Sequence, residues 1–162
     1  MESSVTSHPV KKRRSNKLHT ARMVEAVERY LDGVRVISWS SGNTEAFIDS
    51  ESSLIITLCG KQIAKLQANK DGDIESLFIY SGEAYDQYGN ISYMTQERLN
   101  GLFDCLEYNS IIPHNVRVFI SKEDEISYLA FNEKKIPFNK EYCTMLKIKA
   151  SPRTFTVEDM QR

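Results

Sequence analysis

Short β-type segments separated by glycine-containing turns constrain the fold of this chain most strongly. Residues 54–59 form a continuous apolar, β-branched run that is too short for a helix and predicts a buried strand. Residues 64–68 alternate apolar and polar side chains, as in a strand with one buried face. Gly60 and Gly72 mark tight turns on either side of that strand, and residues 74–80 are again rich in β-formers. The pattern predicts a three-stranded antiparallel meander.

Two other segments have the periodicity of amphipathic helices. In the first, Thr20 is the predicted N-cap and Gly33 the predicted stop, with apolar residues on one face between them. In the second, Thr95 is the predicted N-cap, and apolar residues recur at i, i+3, i+4 and i+7. Gly101 lies inside this second helix at a cost of about 1 kcal/mol relative to alanine, which indicates close packing against another backbone.

Further segments that are alternating or dense in β-formers extend the β-structure beyond the meander. They lie at residues 34–40, 116–120, 126–130 and 142–148. Runs of strands joined by short turns favour antiparallel pairing. The predicted fold class is therefore α+β, an antiparallel sheet of about seven to eight strands with two helices packed on it.

The composition divides the chain of 162 residues into three parts. Residues 1–17 are rich in Ser, Lys and Arg with little apolar surface to bury, and they are predicted to be a flexible basic arm. Residues 18–152 are predicted to form a single α+β domain, and residues 153–162 a loose C-terminal tail. The arm has five basic residues against one acid, whereas the whole chain has a net charge of −1, so the remainder is acidic.

The arm has four open interpretations, which depend on Lys11, Lys12, Arg13 and Arg14. These side chains could neutralise a few phosphates and give salt-sensitive affinity for nucleic acid. In a eukaryotic host they could form a polybasic localisation signal. They could equally be a solubilising tail, or a terminus that becomes ordered only within an assembly.

Composition and cysteine usage predict an intracellular, cytoplasmic protein. Hydrophobic residues make up 41% and charged residues 27% of the chain, as in ordinary soluble domains. No apolar run approaches the roughly 18 residues that span a bilayer, so no membrane partner is predicted. The three cysteines, Cys59, Cys105 and Cys143, have no zinc-type spacing and are predicted to be reduced and mostly buried, with a catalytic thiol as the alternative.

The common local signatures of enzymes are absent from the sequence. It contains no phosphate-binding loop, dinucleotide fingerprint, HExxH or GxSxG, and its histidines do not have metal-ligand spacing. Asp71, Asp73 and Glu75 could bind a divalent cation from alternate strand positions, although acids in a hairpin turn are usually just solvated. The predictions are no cofactor, no metal and no assigned catalytic residue.

The loop at residues 81–94 is richer in tyrosine than a connector requires. Tyr85 and Tyr88 are candidate interface residues, and Arg98 and Asn100 could complete a stacking or protein-recognition surface beside them. Tyr80, which precedes the loop, and Tyr93, near its end, flank ordered elements and are predicted to pack instead.

A short motif around the second helix resembles one found in small, uncharacterised proteins of phages and related mobile elements. The matching residues are Ser81, Gly82, Tyr93, Thr95, Arg98, Leu99, Asn100 and the Val116–Phe119 strand. The resemblance covers about the middle half of the chain. This sequence departs from the pattern in a longer loop and in Gln96-Glu97, which replaces the usual Lys. The resemblance implies an origin and no particular activity; for Arg98 and Asn100 the favoured role is to fasten the helix to the neighbouring sheet.

The sequence as a whole favours a non-enzymatic binding protein that recognises another macromolecule. Because the domain is slightly acidic, a protein partner is favoured, and a phage-like origin would make a host or defence protein the partner. One alternative is a nucleic-acid-binding protein that uses the arm and the tyrosine-rich loop. Another is a metal-dependent enzyme without a local motif. The oligomeric state is not predicted.

Overall fold

The structure is a computed structural model that describes the backbone of residues 10–84, 86–151 and 154–160. Within these ranges the chain forms two helices, α1 (Val10–Leu31) and α2 (Tyr93–Tyr108). The strands before α2 are β1 (Ser38–Ser41), β2 (Thr44–Ile48), β3 (Leu54–Leu58), β4 (Lys61–Ala68) and β5 (Ile74–Tyr80). Those after it are β6 (Arg117–Ile120), β7 (Ser127–Phe131), β8 (Lys134–Pro137), β9 (Met145–Ser151) and β10 (Thr154–Asp159).

The strands form two antiparallel sheets. The larger sheet has seven strands in the order β1-β2-β3-β4-β5-β9-β10, and the smaller one has the order β6-β7-β8. The predicted meander is present as β3-β4-β5, and β9 returns to pair with β5 after the chain has passed through α2 and the small sheet. The α+β antiparallel fold is therefore confirmed, with the predicted sheet size in the larger sheet and a second sheet beside it.

One hydrophobic cluster joins both sheets and both helices. It includes a row of paired residues across the large sheet, namely Ala46, Ile56, Ala64, Ile79 and Leu146. Val118 and Leu129 bring the small sheet into the same cluster, with Val27 from α1 and Leu102 from α2. Both helices thus pack on the face of the large sheet that carries this row, as the period-2 alternation predicts.

Helix α1 starts earlier than predicted. It begins at Val10, so Thr20 lies within it and the prediction of an N-cap at Thr20 is wrong. Lysine and arginine are good helix formers, which allows the helix to continue through the basic sequence before Thr20. The backbone of Lys11–Arg14 therefore belongs to α1. The side chains of these four residues, and residues 1–9 altogether, lie outside the described part of the chain.

Helix α2 also starts before its predicted cap. Ser92 is the N-cap, with its Oγ accepting a hydrogen bond from the backbone N–H of Thr95, so the prediction of a cap at Thr95 is wrong. Gly101 does mark a close approach, as predicted, although the neighbour is a side chain. A Cβ at Gly101 would lie 2.3 Å from Cγ2 of Thr20 on α1.

The C-terminal residues do not form the predicted loose tail. Residues 154–159 are strand β10, which pairs with β9 along its whole length. Phe155 packs edge-on against Phe131 of β7, with ring centroids 5.4 Å apart, and Val157 also packs against the core. Alternating apolar residues at the sheet edge therefore hold this segment to the domain.

Candidate binding cleft

The C-terminal ends of both helices meet at one end of the molecule. The two helices run in the same direction. Thr20 of α1 lies against Gly101 of α2. Two turns further along α1, the charge of Glu28 is close enough to help raise the pKa of Cys105, one turn further along α2. Beyond these contacts, Leu31 and Glu107 reach a common cleft with a volume of about 1590 Å³. The turn between β4 and β5, the segment after α2 and strand β10 complete its walls.

The floor of this cleft is apolar. It is formed by Leu31, Ile74, Ile111, Ile112 and Phe155. Ile112 is 6% exposed, and the other four are half-buried and pack against the core with one side. Covering partly exposed apolar side chains at the bottom of a concave surface with a ligand lowers the free energy.

The rim of the cleft is strongly acidic. Its carboxylates are those of Asp32, Asp73, Glu75, Glu107 and Glu158. Lys149 is the one ammonium group among the described lining residues, and His114 is the one imidazole. Like charges that converge on a concave surface reinforce one another, so the cleft favours a cationic ligand. We refer to it below as the acidic cleft.

The helix dipoles add to this negative potential. The C-terminal end of an α-helix carries a partial negative charge of about half a unit, and two such ends lie at the cleft because α1 and α2 run parallel. At the end of α1 this charge is partly offset by Arg29 in the last turn and by Arg35, whose Nη1 donates to the carbonyl of Tyr30 at 2.9 Å. The last turn of α2 has no basic residue to offset its dipole. Its C-cap is the neutral Asn109, whose Nδ2 donates to the carbonyl of Cys105 at 2.8 Å.

Glu107 is held in a fixed orientation within the rim. Its Oε1 accepts a hydrogen bond from the backbone N–H of Asn115 at 3.2 Å and lies 3.4 Å from Nδ1 of His114. The Glu107 side chain is 14% exposed, whereas that of His114 is 85% exposed. Of the five carboxylates, Glu107 is therefore the one that is ordered by its neighbours, and the solvated imidazole can move away from it.

Arg98 is buried, so its assignment as a binding residue is wrong, and Asn100 is half-buried with its side-chain amide used inside the fold. Arg98 is 0% exposed, and its Nη1 donates to the Thr20 hydroxyl at 2.9 Å and its Nε to the Thr44 hydroxyl at 3.0 Å. Asn100 exchanges two hydrogen bonds with the backbone of Val118 on β6, at 2.9 and 3.0 Å. Their role is to fasten α2 to α1 and to both sheets, which was the favoured interpretation.

The tyrosine-rich loop is tied to the small sheet through a buried asparagine. Asn90 is 1% exposed; its Nδ2 donates to the carbonyl of Glu125, and its Oδ1 accepts from the N–H of Ser127. Tyr88 is 45% exposed at the tip of this loop, consistent with its predicted place at the surface, and Tyr85 lies outside the described residues.

The two flanking tyrosines differ from each other. Tyr80 is half-buried on β5, as predicted, but Tyr93 is 71% exposed, so the prediction that it packs is wrong. As the first residue of α2, Tyr93 points away from the face that Leu99 and Leu102 bury. None of the described tyrosines lines the acidic cleft.

The predicted acidic cluster is divided by the fold. Asp73 and Glu75 line the acidic cleft, whereas Asp71 does not, and all three are exposed. In the described part of the chain, no group of three or more His, Cys, Asp or Glu side chains could hold a metal ion. The same residues contain no helix that is long and apolar enough to cross a membrane.

No protein-family model, curated protein or solved structure matches this chain. What can be said of its class therefore comes from the fold and the cleft. The sequence did not predict the cleft because Asp32, Glu107 and Glu158 come from elements far apart in the chain and join the Asp73–Glu75 pair only in the fold. Two signals in the sequence pointed toward it: the excess of acid outside the arm, and the acidic cluster that contains Asp73 and Glu75.

The cysteines are predicted to differ sharply in reactivity. Cys59 is exposed in the β3–β4 turn, whereas Cys105 and Cys143 are buried, and burial raises the pKa of the Cys105 thiol to about 11. Iodoacetamide at about pH 8 should alkylate one cysteine in the native protein and all three after unfolding, as mass spectrometry would show. Cys59→Ser should abolish the native label. Native alkylation of Cys105 at the rate of Cys59 would contradict this assignment.

Proposed function

We propose that this chain is a non-enzymatic protein-binding module whose acidic cleft takes a basic segment of a partner protein. The observation that carries the proposal is the combination of an apolar floor with five rim carboxylates in one concavity. A volume of about 1590 Å³ exceeds the roughly 300–1,000 Å³ of small-molecule pockets, which favours a peptide as the ligand. An intracellular site of action belongs to the same proposal.

The expected division of binding energy follows from this geometry. Exposed ion pairs contribute about 0.5 kcal/mol each, so the carboxylates mainly select the partner and speed its association. Most of the affinity comes from apolar side chains of the partner that cover Leu31, Ile74 and Phe155. The partner segment therefore combines Lys or Arg with aliphatic or aromatic residues.

The cleft disfavours nucleic acid as its ligand because carboxylates repel phosphates. A nucleic-acid-binding role would have to use the basic arm or the exposed Tyr88. If the resemblance to mobile-element proteins reflects descent, the partner is a host or defence protein with an exposed basic segment. The nucleic-acid role of the arm and the host or defence partner are predictions.

The test is a fluorescence titration with three probes: a peptide alternating Lys and Leu, its Glu counterpart, and a single-stranded oligonucleotide. The triple variant Asp73→Asn, Glu75→Gln, Glu158→Gln removes rim charge without removing side-chain volume. At about 0.5 kcal/mol for each lost pair, it should weaken binding of the basic peptide about tenfold. The Glu peptide should not bind.

A matched control removes the same charge elsewhere. Asp104, Glu123 and Glu141 are exposed and do not line the cleft, so their triple amide variant should change affinity by less than about twofold. Equal weakening by the two triple variants would mean that the peptide responds to net charge alone, and the proposal would be wrong. Tighter binding of the oligonucleotide than of the basic peptide would also overturn it.

A further inference from the structure

Charge is separated along the length of α1. Its first turns contain the sequence of four consecutive basic residues, Lys11–Arg14, and its last residue, Leu31, lines the acidic cleft, followed by Asp32. A helix of 22 residues at about 1.5 Å per residue is about 33 Å long. The basic segment, residues 11–14, and the acidic cleft therefore lie at opposite ends of one rod.

The helix dipole has the same direction as this separation. The N-terminal end of α1 carries partial positive charge and has no acidic residue in its first turn. The C-terminal end carries partial negative charge and adjoins the rim carboxylates. Because α1 is packed on β1, β2 and α2, its direction within the domain is fixed. A chain cannot place its own basic segment in its own cleft.

We propose that the acidic cleft of one copy binds the N-terminal end of α1 from a second copy. The inference rests on the proposed function and names its partner as another molecule of the same chain. Residues 11–14 supply the cations that the rim favours. Leu18, one turn further along the helix and 50% exposed, supplies an apolar side chain for the floor.

The contact is head-to-tail, which determines the kind of assembly. Each copy uses two different surfaces, so binding leaves one free basic end and one free cleft. A contact of this type propagates into a ring or a filament, whereas a two-fold dimer would use the same surface twice. Assembly should therefore increase with protein concentration, and should decrease as salt screens the charges.

Sedimentation of the full chain tests this inference directly. At about 50 mM NaCl the weight-average mass should rise above 18.6 kDa with concentration, and at about 500 mM it should fall back toward the monomer. At protein concentrations where the wild type has just begun to assemble, two variants should each be monomeric. One replaces Lys11, Lys12, Arg13 and Arg14 with Glu, and the other is the Asp73→Asn, Glu75→Gln, Glu158→Gln variant. The control with amides at Asp104, Glu123 and Glu141 should assemble as the wild type does.

Mixing the two defective variants is the decisive step. The first retains an intact cleft and the second an intact basic segment, so together they should form a one-to-one dimer of about 37 kDa that grows no further. Circular dichroism of each variant checks that the fold is retained. A mixture that stays monomeric would overturn the inference. Assembly that persists unchanged in both variants would overturn it as well.

The outcomes also separate this inference from the proposed function. A monomeric wild type whose cleft still binds the Lys-Leu peptide would remove the second copy as partner and leave the binding module intact. If the wild type neither assembles nor binds the Lys-Leu peptide, both the self-assembly inference and the proposed function are wrong.

Discussion

Arg98→Ala is expected to lower the free energy of unfolding by about 3 kcal/mol. Arg98 is 0% exposed and joins three elements, since it extends from α2 to Thr20 on α1 and Thr44 on β2. Alanine would leave a large cavity and remove the donors that both hydroxyls accept from. Burial lowers the pKa of the guanidinium, and the Glu97 carboxylate, 3.8 Å away, opposes that shift.

Urea denaturation measures this effect, with a lower midpoint and an unchanged slope as the expected result. Arg98→Lys keeps the charge, but a single ammonium cannot reproduce the fork that reaches two hydroxyls, so we expect an intermediate loss. Arg117→Ala, at an exposed position on β6, is the control and should change stability by less than about 0.5 kcal/mol. A loss below about 1 kcal/mol for Arg98→Ala would show that the buried contacts are not needed for stability.

The sequence predicted the parts of the fold that local patterns determine. The β3-β4-β5 meander followed from alternation and two glycine turns, and the turn at Gly72 has the expected positive φ, +91°. The position of α2 followed from its helical periodicity, although its cap was displaced to Ser92. Strand β10 was missed because only Phe155 and Val157 carry its pattern, and its pairing with β9 is a tertiary contact.

The buried contacts of Arg98 and the acidic cleft could not be predicted because they too depend on tertiary contacts. The burial of Arg98 depends on Thr20 and Thr44, which are 78 and 54 residues away. The acidic cleft depends on the parallel packing of α1 and α2, which brings both helix C-termini to one end of the domain. No spacing of residues within either helix encodes that direction. The contact of Gly101 with Thr20 fixes how closely α1 and α2 approach, and Gly101 was recognisable in the sequence.

Gly101→Ala is expected to lower the free energy of unfolding by about 2 kcal/mol, although alanine is the better helix former by about 1 kcal/mol. The new Cβ would lie 2.3 Å from Cγ2 of Thr20, far inside the roughly 3.5–4.0 Å at which carbon atoms make favourable contact. Rotating the Thr20 side chain would relieve the clash but would take its hydroxyl away from Nη1 of Arg98. The protein must therefore either move the two helices apart or break the hydrogen bond between Thr20 and Arg98.

Thr20→Ser provides the matched background because it removes Cγ2 and retains the hydroxyl that accepts from Arg98. In that background Gly101→Ala should cost less than about 0.5 kcal/mol, or stabilise the protein through its higher helix propensity. The double-mutant cycle should therefore give a coupling energy of about 2 kcal/mol between positions 20 and 101, measured by urea denaturation of all four proteins. Equal destabilisation by Gly101→Ala in both backgrounds would mean that the helices are not in contact at Thr20. The parallel packing that brings their C-terminal ends together at the acidic cleft would then lose its main support.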